Sequence, residues 1–187
     1  MTRILAISGS LRERSYNRAL LQAARELAPA GVEIEEFDIS GLPFYDGDLE
    51  AAGDPDAVAE LRAAVAEADA LLIATPEYNR GTSGVLKNAI DWLSRPALAS
   101  VLRWKPVAIM GASTGQGGTR RAQQQVRDAL LFPGAIVLEE PEVAVPVAWE
   151  HFDEDGQLVD ERTRDSIRAL VEGLVAAPRA QQRVEAA

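Results

Sequence analysis

The chain has 187 residues, 47% of them hydrophobic, and 19 basic against 29 acidic side chains give a net charge of −10. That length fits one domain with enough apolar material for a core, and the charge argues against nucleic acid or an anionic membrane as partner. The absence of cysteine and the lone histidine, His151, remove thiol chemistry, disulfides and iron–sulfur clusters, and leave no metal site to expect. The start of the chain reads as a strand rather than a leader. No run of about 18 apolar residues occurs, so a cytoplasmic protein is expected.

Residues 3–8, "RILAIS", form an apolar run before a glycine, which suits a strand buried on both faces. Leu20, Leu21, Ala24 and Leu27 fall on one stripe and predict a helix over 16–28. Val32, Ile34 and, after a slip, Phe37 and Ile39 mark a second strand nearer an edge. Residues 41–55 are a Gly-, Pro- and Asp-rich loop. A helix over 55–68 follows, with Asp54 as cap and Pro55 at its first position. "ALLIATP" (70–76) is a third strand. The helix over 83–95 has apolar rows at Val85, Ala89 and Trp92 or at Leu86, Ile90 and Leu93. A fourth strand (105–113), a helix (118–132), a fifth strand (135–146) interrupted by Pro141 and a last helix (163–177) complete the domain, with 178–187 expected as a frayed tail.

Strands that alternate with helices imply a parallel sheet with right-handed crossovers and helices on both faces. Ligands in such sheets bind beyond the carboxyl ends of the strands. Three loops therefore carry the functional reading. The first, "GSLRERSYN" (9–17), opens a helix whose N-terminus favours anions. Ser10, Ser15 and Asn17 supply hydrogen bonds there and Arg12 a charge. It is neither a Walker loop nor a dinucleotide fingerprint, and the plainer account is a capped helix with solvated arginines. The second, "TPEYNRGTSG" (75–84), offers a rigid Pro76, a flat Tyr78, the polar edges of Asn79 and Thr82, and close approach at Gly81 and Gly84. An ordinary turn capped by Ser83 explains it as well. The third, "GASTGQGGTR" (111–120), has four glycines, a weak signal alone. Together the loops outline a site with one anionic and one flat end, which fits a mononucleotide with a large planar base, FMN ahead of NAD.

"GSLRERSYNRAL", "PEYNRGTSGVLKNAIDWLSRP" and "GASTGQGGTRRAQQQVRDAL" closely resemble the NADPH-dependent FMN reductase family, in the branch with bacterial quinone and chromate reductases. The resemblance covers roughly residues 2–175. It implies a flavodoxin-like three-layer α/β sandwich, its five-stranded parallel sheet in the order 2-1-3-4-5, as a single FMN-binding domain over 1–177. It places the FMN phosphate on Ser10, Arg12, Ser15 and Asn17. The flavin ring falls on Pro76, Glu77, Tyr78, Asn79 and Gly81, bordered by Ser113, Gly115 and Gly117. It implies NADPH or NADH as co-substrate and a small-molecule electron acceptor: a quinone, chromate, an azo compound or free flavin. A homodimer or homotetramer is expected, with FMN near the interface and the helices at 83–95 and 118–132 as contacts.

No catalytic side chain is expected, because the chemistry belongs to the flavin. Glu77 reads as structural or interfacial, Trp92 as packing, Lys87 and Asp91 as an i,i+4 pair, and His151 as solvated. The alternative function is an FMN-binding electron carrier or sensor without turnover.

Overall fold

The computed structural model describes residues 1–177. The expected frayed tail, 178–187, lies outside the described residues. Five strands line up in the order β2-β1-β3-β4-β5: β1 is Thr2–Ser8, β2 Val32–Phe37, β3 Ala70–Ala74, β4 Pro106–Ala112 and β5 Ile136–Val137. A further short strand, β6 (Val143–Val145), also pairs with β4, and every pairing is parallel.

Strand alternation divides the core into two layers. Ile4 and Ala6 of β1, Leu72 and Ala74 of β3, and Ala108 and Met110 of β4 face α1 (Tyr16–Leu27) and α6 (Glu161–Ala176). Leu5, Ile7, Leu71, Ile73, Val107 and Ile109 face the other way. They meet α3 (Asp56–Glu67), α4 (Gly84–Leu93) and α5 (Arg120–Leu131). The three central strands are thus buried on both faces, and this is why their sequences are unbroken apolar runs.

Four expectations need correction. The fifth strand is two pieces. Between the paired positions Val107↔Val137 and Met110↔Val143, one side advances three residues and the other six. Pro141 lacks the N–H a ladder needs, so the chain loops out there and rejoins β4 higher up. The loop at 41–55 contains a short helix, α2 (Gly47–Ala52), capped by Asp46, whose side chain accepts from the Asp48 N–H. Pro55, not Asp54, is the cap of α3; the Asp54 carboxylate instead pairs with the Arg62 guanidinium. His151 is half-buried rather than solvated. It follows a 3₁₀ turn at Ala148–Glu150, and its Nδ1 lies 3.6 Å from Asp160 Oδ2.

Candidate functional site

The three loops do converge. Ser10, Arg12, Ser15, Tyr16 and Asn17 of the first, Pro76, Glu77 and Tyr78 of the second, and Ala112, Ser113 and Thr114 of the third line one cleft of about 140 Å³. It sits at the carboxyl ends of β1, β3 and β4, where the strand order reverses between β1 and β3. A larger cavity, about 520 Å³, lies on the far side of the first loop, between α1 and residues 153–157. It shares Arg12, Ser15 and Tyr16 with the cleft but draws on only one of the three loops, so the smaller cleft is the functional candidate.

Each wall is built locally. At the first loop, Ser15 caps α1, its Oγ accepting from the Asn17 N–H at 3.2 Å. The first turn of α1 holds no acidic residue, so its positive end is left for an anion. Ser10 is 2% exposed, and its backbone is curled onto Ser8 Oγ. Arg12 is exposed at the rim. The Asn17 amide is engaged internally: Nδ2 donates to the Ala112 carbonyl and Oδ1 accepts from the Ala112 N–H, at 3.1 and 3.0 Å. It thereby fastens the start of α1 to the end of β4, fixing the first loop against the third.

In the second loop, Tyr78 and Gly81 close a tight hairpin through reciprocal backbone bonds of 2.9 and 3.0 Å. Asn79 and Arg80 form its tip. Thr82 N–H donates to Gln125 Oε1 at 3.0 Å, and that same amide packs on Gly81. A Cβ at Gly81 would meet Gln125 Oε1 at 2.7 Å, so a side chain here would displace the Gln125 amide from the hairpin. The Glu77 carboxylate takes the place of a side-chain cap on α5. Its Oε2 accepts from the N–H groups of Arg121 and Ala122 at 3.1 and 3.3 Å, while Thr119, the residue at the cap, makes no such bond. The structural reading of Glu77 thus has a definite content, and the residue still borders the cleft.

The third loop is stitched to β6 and the turn behind it: Ser113 N–H donates to the Val145 carbonyl, and Ala148 N–H to that of Ser113, both at 3.0 Å. Its glycines divide in two. Gly111 and Gly118 are forced by packing, since a Cβ would come within 2.2 Å of the Thr75 carbonyl oxygen and 2.7 Å of that of Ala144. Gly115 and Gly117 are not. Their nearest neighbours would stand 3.5 and 3.7 Å from a Cβ, both residues are exposed, and neither has a positive φ. Nothing among the described residues requires them to lack a side chain, which fits a flat ligand lying close to the backbone.

The motif in α4 explains itself mechanically. Asn88 and Trp92, one turn apart, both donate to the Pro43 carbonyl, at 2.9 and 2.8 Å, and Asn88 Oδ1 accepts from the Tyr45 N–H. They hold the 43–45 loop against the helix. Lys87 and Asp91 form the expected pair at 2.6 Å. Among the described residues no group of His, Cys, Asp or Glu could hold a metal, and no helix is long and apolar enough to cross a membrane.

Sequence reasoning missed Tyr16, Ala112 and Thr114 as lining residues and Gln125 as the hairpin's clamp. A signal existed for the engaged Asn17. It lies on the apolar stripe of α1, three and four residues before Leu20 and Leu21, where a polar side chain must find an internal partner.

Comparison with known proteins agrees with this arrangement. The family model described as NADPH-dependent FMN reductase matches residues 2–150. The chain is 49% identical over 172 residues to an NAD(P)H-dependent FMN reductase of Pseudomonas aeruginosa, covering 92% of each chain. It is 38% identical over 170 residues to a 2-hydroxy-1,4-benzoquinone reductase of a Burkholderia species, covering 91% of this chain and 92% of that one. A solved structure of a flavoenzyme NAD(P)H:(acceptor) oxidoreductase from Paracoccus denitrificans superposes with a TM-score of 0.84 at 34% identity, covering 94% and 96% of the two chains. With its sheet order, its three-loop cleft and a match over most of its length, the chain belongs to the NADPH-dependent FMN reductase family.

Proposed function

We propose that this oxidoreductase binds FMN in the three-loop cleft and passes reducing equivalents from NAD(P)H to a small acceptor, a quinone first among the candidates. FMN, when bound, supplies the hydride chemistry. The observation that carries the reading is the cleft itself, which joins an anion-favouring helix end to an aromatic face at Tyr78; Gly115 and Gly117, outside its lining but next to Ser113 and Thr114 in the chain, add exposed backbone that packing does not require to be bare.

The chain's own residues hold and orient. The start of α1, Ser10, Ser15 and Arg12 take the phosphate, with Asn17 acting through its tie to Ala112. Pro76, Glu77, Tyr78, Asn79 and Gly81 form one border of the ring site; Ser113, Gly115 and Gly117 form the other. Backbone N–H groups of these two loops favour negative charge at the ring edge without a titrating side chain. The nicotinamide and the acceptor use the same open side in turn, a ping-pong order.

A ligand of this size ordinarily fills a site of about 300 Å³ or more, and the cleft encloses about 140 Å³. We therefore propose that a second copy of the chain covers the rest, in a homodimer or homotetramer. Gly84 supports this, an exposed residue in the first turn of α4 whose Cβ would meet no atom of the described residues within 4 Å. So do Leu131 and Phe132 at the end of α5, which are 66% and 76% exposed.

Steady-state turnover of the FMN-loaded protein tests the reading, with NADPH and benzoquinone varied against each other. Parallel double-reciprocal lines are expected. Absence of NAD(P)H oxidation with every acceptor class would favour a carrier or sensor instead.

A further inference from the structure

The hairpin tip in the second loop contains an arginine where the backbone favours glycine. Asn79 and Arg80 have φ of 51° and 65°. A two-residue hairpin turn with both central residues at positive φ prefers Asn followed by Gly, because a Cβ in the left-handed region crowds the following carbonyl. Asn79 obeys that preference and Arg80 breaks it. The turn is not slack: Gln125 holds Thr82 at 3.0 Å, and the Thr75 and Thr82 hydroxyls meet at 3.1 Å.

Nothing among the described residues rewards this choice. Arg80 is exposed and makes no hydrogen bond or ion pair among the described residues. The arginines that open α5 differ, since Arg120 is 2.8 Å from Glu142 and Arg121 3.6 Å from Glu77. A strained, partnerless, exposed side chain points to a function outside the chain. Its hairpin begins at Tyr78, which lines the cleft.

The chemistry of the approaching molecule follows from charge. A chain of net charge −10 repels a phosphate-bearing nucleotide unless a local cation receives it, and a guanidinium suits phosphate oxygens through paired N–H donors. Resting on the reading of the cleft as the flavin site, we propose that Arg80 holds a phosphate group of the nicotinamide cofactor. The strained turn persists because it fixes the guanidinium at the end of the hairpin beside the cleft.

The test uses Arg80→Gly, which relaxes the turn as it removes the charge, and Arg80→Lys, which keeps the charge. Arg103→Ala removes a like charge before β4, at the opposite end of the sheet. Calorimetric Kd values for NADP⁺ and NAD⁺ on the FMN-loaded proteins accompany kcat and KM for NADPH and NADH. We expect Arg80→Gly to raise Tm, to raise Kd and KM at least tenfold with kcat little moved, and Arg80→Lys to recover part of the loss. A loss confined to NADP⁺ and NADPH identifies the 2′-phosphate; equal losses for both nucleotides identify the pyrophosphate. Kd values within twofold of wild type overturn the proposal, as does an equal loss in Arg103→Ala. A changed sedimentation coefficient with unchanged Kd also overturns it and makes Arg80 an assembly contact. Failure of the underlying reading shows separately, as wild-type protein that neither binds NADP⁺ nor oxidises NADPH.

Discussion

At the scale of single residues, the third loop separates glycines that packing requires from glycines that it does not. Replacement of Gly117 by Ala meets only ordinary contact distances, so the fold should keep or gain up to about 1 kcal/mol. FMN affinity should fall about tenfold or more as the new methyl enters the ring's place. Gly111→Ala should do the opposite of the first half, since its Cβ would overlap a backbone oxygen at 2.2 Å; soluble expression should collapse. Thermal melts and fluorescence titration with FMN read both. An FMN affinity in Gly117→Ala equal to wild type would remove the main support for the bare backbone strip. Arg12→Ala loses one charge-assisted bond to phosphate, worth about 1.5–3 kcal/mol, so FMN Kd should rise roughly ten- to a hundredfold with little change in melting temperature. Of the residues expected at the site, Ser10, Arg12, Ser15, Asn17, Pro76, Glu77, Tyr78 and Ser113 line the cleft, and Asn79, Gly81, Gly115 and Gly117 do not. The roles of Asn17 and Glu77 were not legible in full. Their side chains bond backbone groups 95 and 44 residues away, and a one-dimensional pattern holds no trace of such partners.

At the scale of elements, the helices are positioned by a few polar ties across the sheet's end. Glu77 substitutes for the missing cap of α5. Glu77→Ala should therefore cost about 1–2 kcal/mol, lowering Tm by roughly 2–8 °C in a chain of this size; Glu77→Gln, which still accepts, should recover most of it. A second tie is sensitive to pH. Asp160 caps α6, its carboxylate accepting from the Thr163 N–H at 2.7 Å. Hydrogen bonding to the Thr163 side chain, joined by the N–H bond and a smaller contribution from nearby His151, holds its pKa below the ordinary 3.8 against the opposing effect of burial. A depressed folded pKa means the stabilisation is complete above 3.8 and is lost as pH falls through the lower folded value. Asp160→Asn keeps an acceptor without the titration, so urea-unfolding stability should fall less steeply below about pH 4 than in wild type. Parallel acid limbs would refute this. Most elements were legible because the central strands, buried on both faces, leave continuous apolar runs, and because Ser15 and Ser83 cap their helices by side chain. The split of the fifth strand was visible only as Pro141. How far the chain loops out depends on pairing with β4, which is a tertiary matter.

For the whole molecule, one sheet carries two cores and gathers three loops at one end, so the architecture followed from the order of elements and the convergence of the loops from the strand-end rule. What a single chain's pattern does not encode is its cover. The proposed second copy would cover the small cleft and the exposed Gly84, Leu131 and Phe132. Sedimentation equilibrium should give a dimer or a multiple of it, and Phe132→Asp should shift it toward monomer if the end of α5 is in the contact. The account's central claim, that this cleft is a reducible FMN site, is tested most directly by a visible absorption spectrum. The protein is equilibrated with FMN, freed of excess, and treated with NADPH without oxygen. Flavin bands that stay with the protein and bleach on adding NADPH are the predicted result. Bands that stay with the protein and remain oxidised, or protein that retains no flavin and does not reduce free FMN, would contradict it.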